Sequence, residues 1–245
     1  MHLNIVNPNT SLAMTRTIAE AARRVARPDT TIRAVASEFG PASIEGPYDD
    51  AFALPGLLAR IAEGEAEGAD AHVIACFDDT GLDAARALAA APVVGIGEAA
   101  FHMAGLIAHR FTVVTTLVRS IGVIHGNLLR YGFDRRCARV RASDVAVLEL
   151  EDPASDARAR ICAEIETALA EDGAEAIVLG CAGMADLAAA LSARYGVPVI
   201  DGVSAAVVLA EGLAAQKLAT SKHGLYARPL PKAYSGLVAS FAPKR

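Results

Sequence analysis

The chain has 245 residues, of which 53% are hydrophobic and 21% charged, and its net charge at neutral pH is −5. This length is enough for one large α/β domain or for two small ones with substantial cores. No uninterrupted apolar run approaches the roughly 18 residues of a membrane-spanning helix, so we expect no insertion into a membrane. The acidic balance argues against a general nucleic-acid binder, because neutralising phosphates requires a basic face.

Apolar strands and helical patterns alternate along the first half. Strands are predicted at residues 2–6, 31–37, 71–76 and 93–96. Helices are predicted from the N-cap candidates Asn9, Thr10 and Ser11 to about residue 27, and then at 54–68, 82–90 and 98–108. The turn-rich segment FGPASIEGPYDD is predicted to be a loop between the second strand and the second helix.

The same alternation then restarts. Strands are predicted at residues 111–115, weakly at 139–148, and again at 176–181 and 197–200. Helical patterns follow them at 119–131, 155–171, 184–195 and 204–216. Alternation at these lengths implies parallel sheets joined by crossover helices.

The two halves align with each other at an offset of roughly 105 to 108 residues, which is the mark of a duplicated unit. Cys76 aligns with Cys181, and Pro92-Val93-Val94 aligns with Pro198-Val199-Ile200. We therefore predict an α/β fold of two pseudosymmetric, Rossmann-like, three-layer domains with short, mostly parallel sheets and an active site in the cleft between them. The predicted division is 1–108, 109–215 and a C-terminal arm, 216–245.

The C-terminal arm differs in charge from the rest of the chain. After Glu211 there is no acidic residue, and the basic residues there are Lys217, Lys222, Arg228, Lys232, Lys244 and Arg245. We interpret this segment as an arm that packs on the body or on a neighbouring subunit, with nucleic-acid contact as a remote alternative. A homo-oligomer is expected on this basis.

Four cysteines, at positions 76, 137, 162 and 181, form no CxxC pair and no tight Cys/His cluster. We therefore expect no bound metal and no redox disulfide. The start of the chain, MHLNIVNPNT, lacks the pattern of a secretory signal, so reduced thiols and a cytoplasmic location are expected. Cys137, after a basic pair, and Cys162, inside a predicted helix, are interpreted as structural.

Cys76 and Cys181 each follow a buried strand and precede a loop of small residues. The carboxyl edge of a parallel sheet is where open α/β proteins bind ligands. Two opposed thiols suit the inversion of a carbon with an acidic hydrogen, since one thiolate removes the proton and the other thiol returns one to the opposite face. The alternative is simple packing, because cysteine is among the residues most often buried.

Several neighbouring motifs leave alternatives open. Asp78 and Asp79 are candidates either for accepting a hydrogen bond from a substrate N–H or for capping the next helix. The segment GIGEAA at 95–100 matches a dinucleotide fingerprint, but we interpret its glycines as turn residues, because no acidic residue from 99 to 133 is available for a ribose. Glu98 and His102 are four residues apart on one predicted helix, a spacing that suits an acid/base pair but is more typical of a surface ion pair or a cap. A pyridoxal phosphate mechanism is disfavoured, since all four lysines follow residue 216.

Six segments together resemble one known family. They are VNPNTSLAMT at 6–15, GPASIEG at 40–46, VIACFDDTGL at 73–82, FTVVTTL at 111–117, IVLGCAGM at 177–184 and PVIDGVSAAV at 198–207. These residues resemble the hydantoin and allantoin racemases of the aspartate/glutamate racemase superfamily. The resemblance runs from the first strand to near the C-terminus.

The resemblance implies two pseudosymmetric α/β domains, no metal or organic cofactor, and two-base proton transfer at C5 of a cyclic ureide. It assigns the catalytic thiols to Cys76 and Cys181. Having both thiols favours racemisation over the related one-cysteine decarboxylation. The substrate-binding groups that the resemblance implies are Asn9, Ser43, the Phe77 backbone, Thr116 and the backbone of Ala182 and Gly183.

Within the family we favour allantoin, and so a role in purine breakdown, because GIGEAAFHM and TSKHG are similar to allantoin racemases. A general hydantoin racemase is the first alternative. An aspartate/glutamate-type amino-acid racemase is a weaker one, since no arginine is placed near either cysteine to bind an α-carboxylate. The alternative from a different class is a small-molecule binding protein that uses the same cleft without turnover.

Overall fold

The computed structural model describes residues 1–152 and 154–243. Within these residues the strands are β1 (His2–Asn7), β2 (Thr31–Ala36), β3 (Ala71–Ile74), β4 (Val93–Gly95), β5 (Phe111–Thr115), β6 (Cys137–Ala142), β7 (Ala176–Gly180) and β8 (Val199–Asp201). The α-helices are α1 (Leu12–Val25), α2 (Pro47–Ala66), α3 (Leu82–Leu88), α4 (Ile96–Ile107), α5 (Ile121–Tyr131), α6 (Ala157–Glu171), α7 (Ala188–Tyr195) and α8 (Gly202–Ala215). None of these helices is long and apolar enough to cross a membrane.

The strands form two parallel sheets of the same design. The first has the order β2-β1-β3-β4 and the second the order β6-β5-β7-β8. Adding four to each strand number of the first order gives the second, so β3 and β7 occupy equivalent places in their sheets. Both strands are buried along their whole length, as expected where helices cover both faces of a parallel sheet. The predicted pair of pseudosymmetric α/β domains is confirmed.

The last helix of each half packs across to the other half. Helix α4 lies against α8 and also against β7 of the second sheet, while α8 lies against β3 and β4 of the first sheet and against α1. One continuous hydrophobic core therefore contains residues of both sheets, among them Phe101 of α4 and Phe111 of β5, whose rings stack 6.0 Å apart. Each half also has a smaller cluster of its own, around Leu57 and Ile61 in the first and around Ile161 and Leu179 in the second. The division at residue 108 stays a prediction, because the largest cluster crosses it.

Three boundaries differ from the sequence predictions by four residues or more. Helix α2 begins at Pro47 rather than at residue 54, because proline suits the first turn and the side chain of Asp49 accepts a hydrogen bond from the Glu45 N–H. Strand β6 ends at Ala142 rather than at residue 148, and Asp144 beyond it has a left-handed backbone (φ 54°) that a strand cannot contain. The helix predicted from residue 184 begins at Ala188, after a short 3-10 turn.

The C-terminal arm runs along the outside of the first domain. Lys222 donates to the carbonyl of Arg86 at 2.6 Å, Thr220 bonds to the carbonyls of Ala90 and Ala91, and Tyr226 donates to Asp83 at 3.1 Å. After Tyr226 the residues of the arm are exposed to solvent as far as residue 240. Lys244 and Arg245 lie outside the described residues.

The packing of α4 against α8 requires a glycine at position 202. A Cβ at Gly202 would lie 2.5 Å from the carbonyl oxygen of Ile96, which is backbone and cannot move aside. We expect Gly202→Ala to lower the free energy of unfolding by about 1 to 3 kcal/mol, as overpacking does. The control is Gly126→Ala in α5, where a Cβ meets nothing within 4 Å, and it should stabilise by about 0.5 to 1 kcal/mol. Urea titration measures both, and equal effects would contradict the packing argument.

Candidate active site

The two thiols lie at equivalent positions after equivalent strands. Cys181 directly follows β7 and Cys76 follows β3 after one further residue, and both are partly exposed. Together they line one pocket of about 390 Å³, counting its open mouth, which we call the cleft pocket. Its other lining residues come from both domains: Asn9, Met14, Ile44, Ala75, Phe77, Asp78, Thr116, Ser120, Val147, Gly180 and Ala182.

The sulfur of Cys76 accepts hydrogen bonds from two residues of its own loop. The hydroxyl of Thr80 lies 3.4 Å from its sulfur and 2.5 Å from Oδ1 of Asp50, and the backbone N–H of Asp78 donates to the sulfur. Burial raises the pKa of the Cys76 thiol well above its usual value, and the negative charge of Asp78 raises it further. The thiol form is therefore favoured at neutral pH.

Cys181 has a similar environment. The backbone N–H of Gly183 donates to its sulfur, which lowers the pKa, but burial outweighs this and raises the pKa of Cys181 to about 12. The charges of Asp78 and Glu45 add to the increase. Asp78 thus acts on both thiols, and its own pKa is raised to about 7 by burial and by the neighbouring charge of Asp50. The three titrating groups of the cleft pocket are electrostatically coupled.

The two aspartates left open by the sequence have different roles. Asp79 is buried and accepts hydrogen bonds from the N–H groups of Gly97 and Glu98, at 2.9 and 2.8 Å, so it caps helix α4 and not the helix that follows it. Its Oδ2 also accepts from the Tyr131 hydroxyl at 3.0 Å. Asp78 instead lines the cleft pocket.

The same contacts explain the glycines of GIGEAA. A Cβ at Gly97 would lie 2.4 Å from the carbonyl oxygen of Phe77, so the glycine permits a close approach rather than a turn. Because Asp79 occupies the N-terminus of α4, a dinucleotide phosphate has no place there. His102 bonds only to the backbone carbonyl of Glu98, whose carboxylate pairs with Arg86 at 2.5 Å, so the predicted Glu98–His102 ion pair is wrong.

The structure brings together most of the residues expected to bind substrate. Asn9, Phe77, Thr116 and Ala182 line the cleft pocket together with both cysteines. The amide nitrogen of Asn9 faces only the sulfur of Met14, a weak acceptor, at 3.4 Å. The ring of Phe77 points into the core, edge-on to Phe101 at 5.5 Å, which leaves its backbone as the group beside the pocket.

Ser43 and Gly183 do not line the cleft pocket. Ser43 precedes Ile44, which does, and Gly183 lines a neighbouring groove while its N–H reaches Cys181. Sequence reasoning missed Met14, Ile44, Ser120 and Val147. For Ser120 a signal existed, because it closes the turn that leads from Thr116 into α5.

Segments of opposite domains meet over the cleft pocket. The N–H of Val147 donates to Oε1 of Glu45 at 2.9 Å, and Arg119 donates to the Glu45 carbonyl at 3.3 Å. Nearby, the hydroxyl of Ser11 donates to Glu151 at 2.5 Å. Among the residues that the structure describes, no group of three or more His, Cys, Asp or Glu is placed to hold a metal ion.

Residues 3–210 match the family model described as Asp/Glu/Hydantoin racemase. The chain belongs to this family. It is 50% identical over 236 residues to a hydantoin racemase of Rhizobium meliloti, covering 96% of this chain and 98% of that one. To a hydantoin racemase of Pseudomonas sp. (strain NS671) it is 44% identical over 241 residues, covering 98% and 97%.

Solved structures agree with this placement. The allantoin racemase from Klebsiella pneumoniae has a TM-score of 0.97 at 51% identity and covers 100% of both chains. The allantoin racemase from Pseudomonas fluorescens has a TM-score of 0.92 at 42% identity, covering 96% of this chain and 100% of that one. An arylmalonate decarboxylase, at 16% identity and a TM-score of 0.60 over 87% and 92% of the chains, shares the fold. The chain is an isomerase of the racemase class.

The charge of Asp78 should control how easily both thiols ionise. Asp78→Asn removes a negative charge that raises the pKa of Cys76 and of Cys181, so at a fixed pH near 8 more thiolate forms. We expect both thiols to react several-fold faster with iodoacetamide, followed by mass spectrometry of each peptide. Asp186→Asn, on the exposed surface after Met184, is the control and should change neither rate. Unchanged rates in Asp78→Asn would contradict the coupling.

Proposed function

We propose that this chain racemises 5-substituted hydantoins, with allantoin as the leading substrate, without a cofactor and by proton transfer through Cys76 and Cys181. The observation that carries the proposal is the symmetry of the two thiols. Each follows the third strand of an identically ordered sheet, and both line one pocket between the sheets. A ring held in that pocket would have one sulfur near each face.

In this mechanism the thiolate of one cysteine removes the C5 proton, so the C5–H bond breaks and an S–H bond forms. The electron pair moves to the adjacent carbonyl and gives an enolate. Backbone N–H groups beside the pocket, such as that of Ala182, are suited to stabilise the enolate oxygen. The other thiol then donates its proton to the opposite face of C5. The product enantiomer leaves with the protonation of the two sulfurs exchanged.

The charge of the cleft pocket supports a cyclic ureide. Its lining contains the carboxylate of Asp78 and no Lys or Arg among the residues the structure describes there. A neutral ring with N–H groups can donate to Asp78, whereas this lining offers no cation to bind the α-carboxylate of a free amino acid. This disfavours the aspartate/glutamate-type alternative. The binding-protein alternative is set aside because the chain is a racemase.

Allantoin is favoured by the likeness to the Klebsiella pneumoniae enzyme over the whole chain, and a role in purine breakdown would follow. The two motifs that are similar to allantoin racemases do not contribute side chains to the cleft pocket. GIGEAAFHM forms the first part of α4, and in TSKHG the residues Thr220 and Lys222 bond the arm to the first domain. A general hydantoin racemase is therefore the second candidate, and the 50% identity to the Rhizobium meliloti enzyme supports it equally.

Racemisation in D₂O tests the proposal. Starting from one pure enantiomer of allantoin or of a 5-alkylhydantoin, optical rotation should vanish while deuterium enters C5, as followed by polarimetry and proton NMR. Cys76→Ser and Cys181→Ser should each lower the rate by about 100- to 10,000-fold, the range of general acid and base catalysis. Cys137→Ser, at the start of β6, is the control and should keep full activity.

Two results would contradict different parts of this proposal. Full racemase activity in both single variants would contradict the two-base assignment. If allantoin and a panel of hydantoins all keep their optical rotation and their C5 hydrogen, the substrate class is contradicted.

We also propose that the enzyme is a cytoplasmic homo-oligomer whose C-terminal arm lies on a second copy. All four cysteines are free, which suits a reducing compartment. The arm exposes large apolar side chains, among them Leu230 at 76% and Leu237 at 101%. Six of the chain's 23 basic residues and none of its 28 acidic ones follow Glu211, so the arm complements the acidic body of another copy in charge.

The arm's role is testable by its mass in solution. Leu230→Glu combined with Leu237→Glu places charge where the arm should meet the second copy, and we expect a smaller assembly by light scattering. Leu129→Glu, at an exposed apolar position on α5 (69%), is the matched control and should leave the mass unchanged. A monomeric unmodified chain, or an unchanged mass in the arm variant, would contradict this assignment.

A further inference from the structure

A second cavity adjoins the cleft pocket, and we call it the outer groove. It lies between α1 and the 3-10 turn Val147–Glu151 and has a volume of about 660 Å³, counting its open side. Its polar lining consists of Arg16, Thr17, Glu20 and Glu151, and its remaining lining of Ala13, Met14, Leu150 and Gly183. Met14 lines both cavities, and Gly183 lines the outer groove while its N–H bonds to Cys181 of the cleft pocket.

Met14 and Gly183 lie where the two cavities adjoin, and we call these two residues the partition. Gly183 contributes no side chain to it. A Cβ at Gly183 would lie 2.9 Å from Cδ1 of Leu150 and 3.6 Å from Cε of Met14, so even one methyl group would crowd this place. The sulfur of Met14 accepts a weak hydrogen bond from Asn9, and a methionine side chain adapts readily to a neighbouring group.

The position of the partition matters for a ring between two thiols. The carbon that loses its hydrogen lies next to both sulfurs, so the substituent on that carbon must leave the cleft pocket close to them. Gly183 contacts the sulfur of Cys181 directly through its N–H. Met14 and Gly183 thus lie between the proposed position of the reacting carbon and the outer groove.

The lining of the outer groove indicates the chemistry of that substituent. A guanidinium, a hydroxyl and two carboxylates offer both donors and acceptors, with one cation against two anions. An uncharged polar group with N–H donors and a carbonyl acceptor can bond to both kinds of partner. A bulky apolar group would remove these charges from water without compensation.

We propose that the outer groove binds the polar C5 substituent of the substrate, a ureido or carboxamide group, with Arg16 donating to its carbonyl and Glu20 or Glu151 accepting from its N–H. This assignment rests on the proposed function of the cleft pocket. It makes the outer groove the place where a ureido-substituted hydantoin is distinguished from an alkyl-substituted one, and it makes Met14 the side chain that moves to admit the substituent.

Steady-state kinetics on two substrates test this proposal. Arg16→Ala and Glu20→Gln are compared using allantoin and 5-methylhydantoin, whose methyl group is too short to reach the outer groove. We expect Arg16→Ala to raise KM for allantoin about tenfold, the loss of one charge-assisted hydrogen bond, with kcat and all constants for 5-methylhydantoin within twofold. Arg23→Ala, on an exposed turn of the same helix α1, is the matched control and should alter neither substrate.

The partition itself is tested by Gly183→Ala, which should reduce kcat/KM for allantoin more than for 5-methylhydantoin. Equal losses for the two substrates in Arg16→Ala, or no loss for allantoin, would overturn the assignment of the outer groove while racemisation by the unmodified enzyme still supported the proposed function. Turnover of neither substrate by the unmodified enzyme would overturn the proposed function and this assignment together.

Discussion

One buried carboxylate holds the loop that carries Cys76. Asp79 has a left-handed backbone (φ 52°) and accepts three hydrogen bonds, two from the N-terminus of α4 and one from Tyr131 of the second half. Burial raises its pKa to about 7, against the opposing effect of these donors. Because Asp79 is fixed, the preceding residues are fixed too: the Phe77 carbonyl lies against Gly97, and Cys76 and Asp78 face the cleft pocket.

The N-terminus of helix α4 lies beside this loop of the first domain, and the helix packs against the second sheet. Helix α8 of the second half packs in turn against the first sheet. The close approach of Gly202 to Ile96 joins the two helices where they start. The carboxyl edges of the two sheets are therefore held by a shared core rather than by a hinge. For two-base chemistry this is the essential requirement, since both thiols must keep their places on either side of one carbon.

The parts of this arrangement that repeat in the sequence were predictable, and the parts that depend on contacts between the halves were not. The spacing of Cys76 and Cys181 and the alternating strands predicted equivalent sheets with one thiol at the end of each third strand. That both thiols line one pocket depends on how the halves face each other, which spacing does not determine. Asp78 and Asp79 were indistinguishable, because what separates their roles is the N-terminus of α4, formed by residues far along the chain. The outer groove had no signal for the same reason, since Arg16 and Glu151 belong to different halves.

The electrostatics of the cleft pocket connect binding with proton transfer. Burial raises the pKa of both thiols most, and the charge of Asp78 raises it further, so each is held as a thiol at neutral pH. In the proposed mechanism a ring N–H donates to Asp78 and offsets the part of the pKa increase that comes from its charge. A ligand without an N–H donor leaves the repulsion intact. The carboxylate that can accept from the ring of a cyclic ureide is thus also a group whose charge opposes formation of the thiolate, and the two effects meet in Asp78.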